Sequence, residues 1–128
     1  MRILVDTHVF LWHIAGDAKM PVTLRHALVD PSNDVFLSVA PVWEAVIKHA
    51  LGKLPLPAPP AEYLPRQRDA HQIASLPIDE SAMVHLAGLP PIHRDPFDRM
   101  LLAQCLQHGL TLATVDPIMR TYGVPLLT

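Results

Sequence analysis

The sequence predicts an α/β fold in which a mostly parallel sheet is covered by helices on both faces. Two observations carry this. Short aliphatic runs alternate with helix-period segments along the chain, and those runs lack the polar-apolar alternation of a sheet with one wet face. Strands joined through helices call for right-handed crossovers and hence parallel pairing.

The elements follow in order. "RILV" at 2–5 is a first strand, and "THVFLWHIAG" after Asp6 is a helix closed by Gly16. "PVTLRHALVD" is a second helix between Pro21 and Pro31, with Leu24, Ala27 and Leu28 on one face. "DVFLSV" is the next strand and "PVWEAVIKHALG" a helix with Pro41 in its first turn and Gly52 at its end. "KLPLPAPPAEYLP" holds five of the fourteen prolines, so it reads as a stiff connector that excludes regular helix and central strand. Its PxxP match, Pro57 to Pro60, adds nothing beyond stiffness. A short helix near 61–70, a weak strand in "QIASLPI" and a helix "ESAMVHLAGL" capped by Asp79 come next. A helix opened by "DPFD" runs to Gly109, followed by a strand "LTLATV", a helical segment "PIMRTYG" and a last strand "PLLT".

The 128 residues are read as a single domain, 1–128, large enough to close a core without disulfides. Half the residues are apolar and the mean hydropathy is +0.24, which excludes disorder and suggests that some surface is buried against another subunit. The net charge of −2 offers no field for a polyanion, so nucleic-acid binding would need a basic patch or metal ions. Cys105, the lone cysteine, reads as an inert core thiol on an apolar helix. The first apolar run stops at Asp6 and none is long enough to span a bilayer, so a cytoplasmic protein without membrane association is expected.

Ligand sites in open parallel sheets lie beyond the carboxyl ends of the strands. Asp6 follows "RILV" directly, Asp116 follows "LATV", Glu44 lies early in the helix after "VFLSV", and Asp98 opens another helix. Each acid has a local explanation. Asp6 and Asp116 suit helix N-caps, and Glu44 suits a pair with Lys48 worth a few tenths of a kcal/mol, roughly. In "HRDPFDR", Asp95 suits N-cap with Pro96 at the first helical position, and Asp98 suits a capping-box-like contact at N3. Capping does not require the acids to meet, whereas like charges on one rim repel unless a cation neutralises them. An all-carboxylate set suits Mg²⁺ or Mn²⁺, ions whose shell a phosphate commonly completes. Eight histidines include no zinc-type spacing, and His93 beside Arg94 reads as part of the rim rather than as a ligand.

"ILVDTHVFLW", "VWEAVIKHALGKL", "HRDPFDRMLLAQ" and "LATVDPIMRTYGVPLL", in this order, closely resemble the PIN-domain ribonucleases of the VapC toxin type. The resemblance covers nearly the whole chain and implies a three-layer α/β/α PIN-like domain. It also implies Mg²⁺- or Mn²⁺-dependent endonucleolytic cleavage of RNA, a toxin dimer, and a cognate antitoxin whose C-terminal segment blocks the acidic pocket, often with an arginine. Asp6, Glu44, Asp98 and Asp116 match the family's acidic quartet, as catalytic and metal-holding residues, and Asp95 matches an auxiliary acid. A divalent ion beside a scissile phosphate supports hydrolysis. Asp6 and Asp98 are expected as main ligands, with Thr7 and Thr114 hydrogen-bonding ligand carboxylates. Arg94, Arg99 and Lys48 are candidate RNA contacts, although solvation or pairing with the acids explains them as well.

Two rivals remain at this point. An aspartyl-phosphate enzyme or receiver domain also sets acids at strand ends, but one form wants a second Asp where this chain has His8 and the other an adjacent acidic pair that "LVDTH" lacks. A non-catalytic PIN-like interaction module would use the acids to bind a basic partner, which does not require four acids from separate segments.

Overall fold

In a computed structural model describing residues 1–128, five strands form one sheet in the order β3-β2-β1-β4-β5, every neighbouring pair parallel. The strands are β1 (Arg2–Val5), β2 (Asp34–Ser38), β3 (Ala74–Leu76), β4 (Thr111–Ala113) and β5 (Leu126–Leu127). The helices are α1 (Thr7–Ala15), α2 (Val22–Val29), α3 (Val39–Ala50), α4 (Pro60–Ala70), α5 (Ala82–Ala87) and α6 (Pro96–His108), with a 3₁₀ helix at Pro117–Tyr122.

The chain winds outward from β1 to β2 and β3, then returns to the other side of β1 to lay down β4 and β5. The point where winding reverses lies between β1 and β4, whose registers pair Leu4 with Leu112 and Val5 with Ala113. A crevice opens at such a reversal, beyond the carboxyl ends of the two strands.

Alternation along the strands feeds two cores. Ile3, Val5, Val35 and Leu37 face one layer and pack with Phe10 of α1, Leu24 of α2, Ala45 of α3 and Leu64 of α4. Leu4 and Leu112 face the other and pack with Leu101, Leu102 and Cys105 of α6 and with Met119 and Tyr122. The result is the three-layer α/β/α arrangement expected, with a sheet that is wholly rather than mostly parallel. Each fully buried leucine contributes roughly 1.5–3 kcal/mol of burial free energy. Cys105 lies in this second core, where burial pushes its thiol up to about 12.

Several element boundaries depart from the sequence reading, with β3, β4 and β5 shorter than the runs that predict them. α3 begins at Val39, two residues earlier than expected, because the Ser38 hydroxyl accepts from the Ala40 amide and caps the helix there. The proline-rich connector ends at Pro59, not Pro65, because Pro60 takes the first helical position and Leu64 anchors α4 in the core. Pro65 is tolerated inside α4 because the carbonyl it leaves unpaired, that of Ala61, belongs to an exposed residue that water reaches. The helix around 80–89 is shorter than expected, Ala82–Ala87, with Asp79 accepting from the Ala82 amide. At the end of α6, Gly109 takes a left-handed conformation, φ 65°, and turns the chain directly into β4.

Candidate acidic site

The four predicted acids are linked pairwise around the β1–β4 crevice: oxygens of Asp98 and Asp116 come within 4.8 Å, Asp6 feels the charge of Asp116, and Asp98 that of Glu44. Asp6 extends β1 by one rung, its amide donating to the Ala113 carbonyl of β4 at 3.0 Å. Its Oδ1 then caps α1 by accepting from the Val9 amide at 2.8 Å. Asp116 does the same for the 3₁₀ helix, accepting from the Ile118 amide at 3.1 Å, while its own amide donates to the Thr114 hydroxyl. Asp6 is buried, and that burial raises its pKa above the usual aspartate value. The Thr114 hydroxyl, the Val9 amide and nearby His8 pull it back down, and the Asp116 carboxylate pushes it up again.

Glu44 reaches the crevice from the second turn of α3 and is 4% exposed. One carboxylate oxygen accepts from the Thr7 hydroxyl at 2.8 Å and the other from Lys48 Nζ at 2.6 Å. Asp98 comes from the first turn of α6, with its side chain 22% exposed. Its pKa is pushed up to about 6, first by burial and then by the charges of Asp95 and Glu44, while His93 opposes the shift. Asp95 is the N-cap of α6, its Oδ1 accepting from the Phe97 and Asp98 amides at 2.9 and 3.1 Å. Every local role foreseen for Asp6, Asp95, Asp116 and the Glu44–Lys48 pair is therefore made, and the acids converge nonetheless.

The capping box is only half made: Asp95 accepts from the Asp98 amide, but the Asp98 side chain does not reach back to the Asp95 amide. Its Oδ2 lies 2.8 Å from Nε2 of His93 instead. His93 is thus in the cluster rather than merely on its rim: one ring nitrogen of His93 and one carboxylate oxygen each from Asp98 and Asp116 all lie within 4.8 Å of one another. The sequence reading missed this. The available signal was position, because His93 stands two residues before the N-cap, where the chain can fold back over the first helical turn much as a hydrophobic staple does.

The candidate RNA-binding cations separate. The Arg99 guanidinium donates to the carbonyls of Pro90 at 2.8 Å, Leu89 at 3.4 Å and His93 at 3.5 Å, so it fastens the 89–93 segment. Lys48 is half-exposed but paired with Glu44, which raises its pKa, with Asp95 and Asp98 adding to the effect. Arg94 is exposed. Thr7 and Thr114 both contact the acids as expected.

Two cavities lie outside the crevice. One, of about 520 Å³, runs between α1 and the 54–57 connector, its walls including His8, Trp12, Leu54 and Tyr63. The other, of about 430 Å³, lies between the start of β2 and the end of α4, lined by His13, Asp30, Asp34 and His71 among others.

The family model described as the PIN domain matches residues 3–124. The chain belongs to the PIN-domain family. Over 73 residues it is 37% identical to ribonuclease VapC16 of Mycobacterium tuberculosis, covering 56% of this chain and about half, 50%, of that relative. It is 23% identical over 124 residues to ribonuclease VapC22 of the same organism, covering 96% of this chain and 93% of the relative. Among solved structures, VapBC2 from Rickettsia felis, crystallised with a DNA fragment from its promoter, superposes with a TM-score of 0.73 at 12% identity, covering 100% of this chain and 98% of that one. DNA-bound VapBC from Salmonella typhimurium gives 0.69 at 18% identity, covering 99% and 97%. At such identities the superpositions speak for the shared PIN fold.

Proposed function

We propose that this PIN-domain protein is the toxin of a type II toxin-antitoxin pair and a Mg²⁺- or Mn²⁺-dependent endoribonuclease. The observation that carries the reading is the convergence of Asp6, Glu44, Asp98 and Asp116 from four segments on one crevice, where Asp6 and Asp98 have raised pKa values. A purely structural set of caps would gain nothing by approaching. The donor set suits a hard divalent cation, and the repulsion within it is the kind a cation relieves.

In this reading Asp6, Asp98 and Asp116 hold the cation, and Glu44 completes the set directly or through water. When bound, the ion supplies positive charge beside a phosphodiester and lowers the pKa of a nearby water. The chain's own groups fix the arrangement. Thr7 and Lys48 each hold one oxygen of Glu44, so its carboxylate cannot rotate away, and Thr114 steadies Asp6 while bracing the Asp116 backbone. Asp95 adds negative charge at the entrance without joining the cluster. Of the candidate cations, exposed Arg94 remains free to steer a phosphate backbone.

Two surfaces support the partners. The groove between α1 and the connector is mainly apolar and includes His8, two residues from Asp6, so an antitoxin segment seated there would end at the acids. Val39, Trp43, Val46, Ile47 and Leu51 form an exposed apolar stripe at helical spacing along α3, which suits a homodimer. A monomeric mass in light scattering would count against the dimer. No helix is long and apolar enough to cross a membrane.

The test of the activity is incubation with total RNA, with Mn²⁺ and then with chelator. Cleavage is expected only for the wild type with metal and not for Asp98→Asn. If neither Mg²⁺ nor Mn²⁺ binds in a calorimetric titration, the protein is instead a non-catalytic module that uses its acids on a basic partner.

A further inference from the structure

We propose that His93 is a nitrogen ligand of the divalent cation, acting with Asp98 and Asp116, and that it tilts the site toward Mn²⁺ over Mg²⁺. The inference rests on the reading of the acidic crevice as a cation site and adds a residue outside the acidic quartet.

The distances favour ligation over a merely orienting contact. Around an octahedral ion with bonds of about 2.1 Å, adjacent donors stand about 3.0 Å apart and opposite donors about 4.2 Å. His93 Nε2 and Asp98 Oδ2, at 2.8 Å, already have the spacing of an adjacent pair. An imidazole that only oriented Asp98 would have no reason to lie close to Asp116, which arrives from beyond β4 on the far side of the crevice. Yet the donor atoms of all three residues lie within 4.8 Å of one another, so sub-ångström shifts bring them onto a common centre. In the metal-free chain a proton must lie between Nε2 and Oδ2, and the ion takes its place.

The imidazole is also held for the purpose. The His93 amide donates to the Tyr122 hydroxyl, and its carbonyl accepts from Arg99, which binds Leu89 and Pro90 as well. The segment is thus fastened from two elements, the 3₁₀ helix and α6, with the ring directed at the acids and its side chain 18% exposed. A neutral imidazole adds a donor without adding negative charge to a site already crowded with it. Nitrogen donors strengthen binding of transition ions and do little for Mg²⁺, which prefers oxygen and sheds its water reluctantly.

The test uses the full chain loaded with Mn²⁺ in the absence of RNA. Electron spin-echo spectroscopy of the bound ion is expected to show coupling to a ¹⁴N nucleus that disappears in His93→Gln. The same variant is expected to weaken Mn²⁺ binding by about 10-fold or more while Mg²⁺ affinity changes far less. Should His93→Gln lose its far-ultraviolet dichroism, His93→Asn takes its place, and the wild-type spectrum is decisive by itself in the negative direction. Bound Mn²⁺ without nitrogen coupling overturns the proposal and leaves the cation site standing. Coupling that persists without His93 also overturns it and points to His8, beside Asp6. If no Mn²⁺ binds at all, the cation site falls together with this inference.

Discussion

The two edges of the sheet present an instructive pair. At the amino edge, a cavity of about 430 Å³ collects His13, Asp30, Asn33, Asp34 and His71, a polar set that a composition count would rank with the acidic crevice. There, however, Asp30, Asn33 and His71 are satisfied within their own segments, and His13, whose pKa burial and His71 lower, is the exception. Asp30 accepts from the amide and hydroxyl of Ser32 in one turn, which lowers its pKa, Asn33 donates to Ala27, and a ring nitrogen of His71 meets the Gln67 carbonyl one helical turn back. At the carboxyl edge, side chains from separate segments confront one another, and the pKa values of Asp6 and Asp98 rise. What sets a candidate site apart from a polar dent is charge that its own turn cannot satisfy.

The contrast is most sharply tested by matched substitutions. Asp98→Asn is expected to lower RNA cleavage by about 10²–10³-fold or more, whereas Asp30→Asn should leave the rate unchanged. Equal losses in both would erase the distinction. Next in size is Thr7→Val, which leaves the buried Glu44 oxygen without its donor and should cost about 10–100-fold in activity or metal affinity, with little change in far-ultraviolet dichroism.

A smaller effect is read in stability. The folded pKa of Asp98 lies near 6, above the 3.8 of an unperturbed aspartate, so the native state holds its proton more tightly than the unfolded chain does. Metal-free stability should therefore fall as pH rises from about 4 to about 6 and level off above, by on the order of 3 kcal/mol from this group. Burial lowers the pKa of His13 and opposes this trend, so the useful quantity is the difference between wild type and Asp98→Asn. The variant should show a flatter profile and, at pH 7.5 without metal, a higher melting temperature. The reason is that the asparagine removes a buried charge that the fold tolerates for other reasons. Smallest of all, a thiol reagent should leave native Cys105 unmodified at neutral pH and label it on unfolding, given its burial and raised pKa.

Much of this architecture was legible because local chemistry and global topology agree. Asp6 and Asp116 end strands, cap helices and line the crevice at once, so a reader of strand ends and caps finds them without knowing the sheet order. The order then explains why the two approach across it, Asp6 on the rung with Ala113 and Asp116 three residues beyond that rung. His93 and Arg99 were illegible for the converse reason. Where the His93 ring points depends on Tyr122, 29 residues away, and on an arginine whose carbonyl partners belong to an irregular loop. An arginine beside an acidic motif carries no local mark distinguishing a ligand contact from a clamp. Pro65 inside α4 misled differently, since proline's cost depends on whether the freed carbonyl meets water, a tertiary property.

The rung that joins Asp6 to Ala113 has one last implication. Because Asp6 hangs from that rung, its backbone is held at the interstrand repeat of about 4.8 Å from β4, a ruler that no side-chain torsion can reset, whereas Asp116 lies three residues beyond the ladder. Asp98 and Glu44 ride on helices, whose packing has slack that the ladder lacks. A guest of different radius would be accommodated by the helical pair while Asp6 stayed put, so discrimination by size would reside in the seating of α3 and α6.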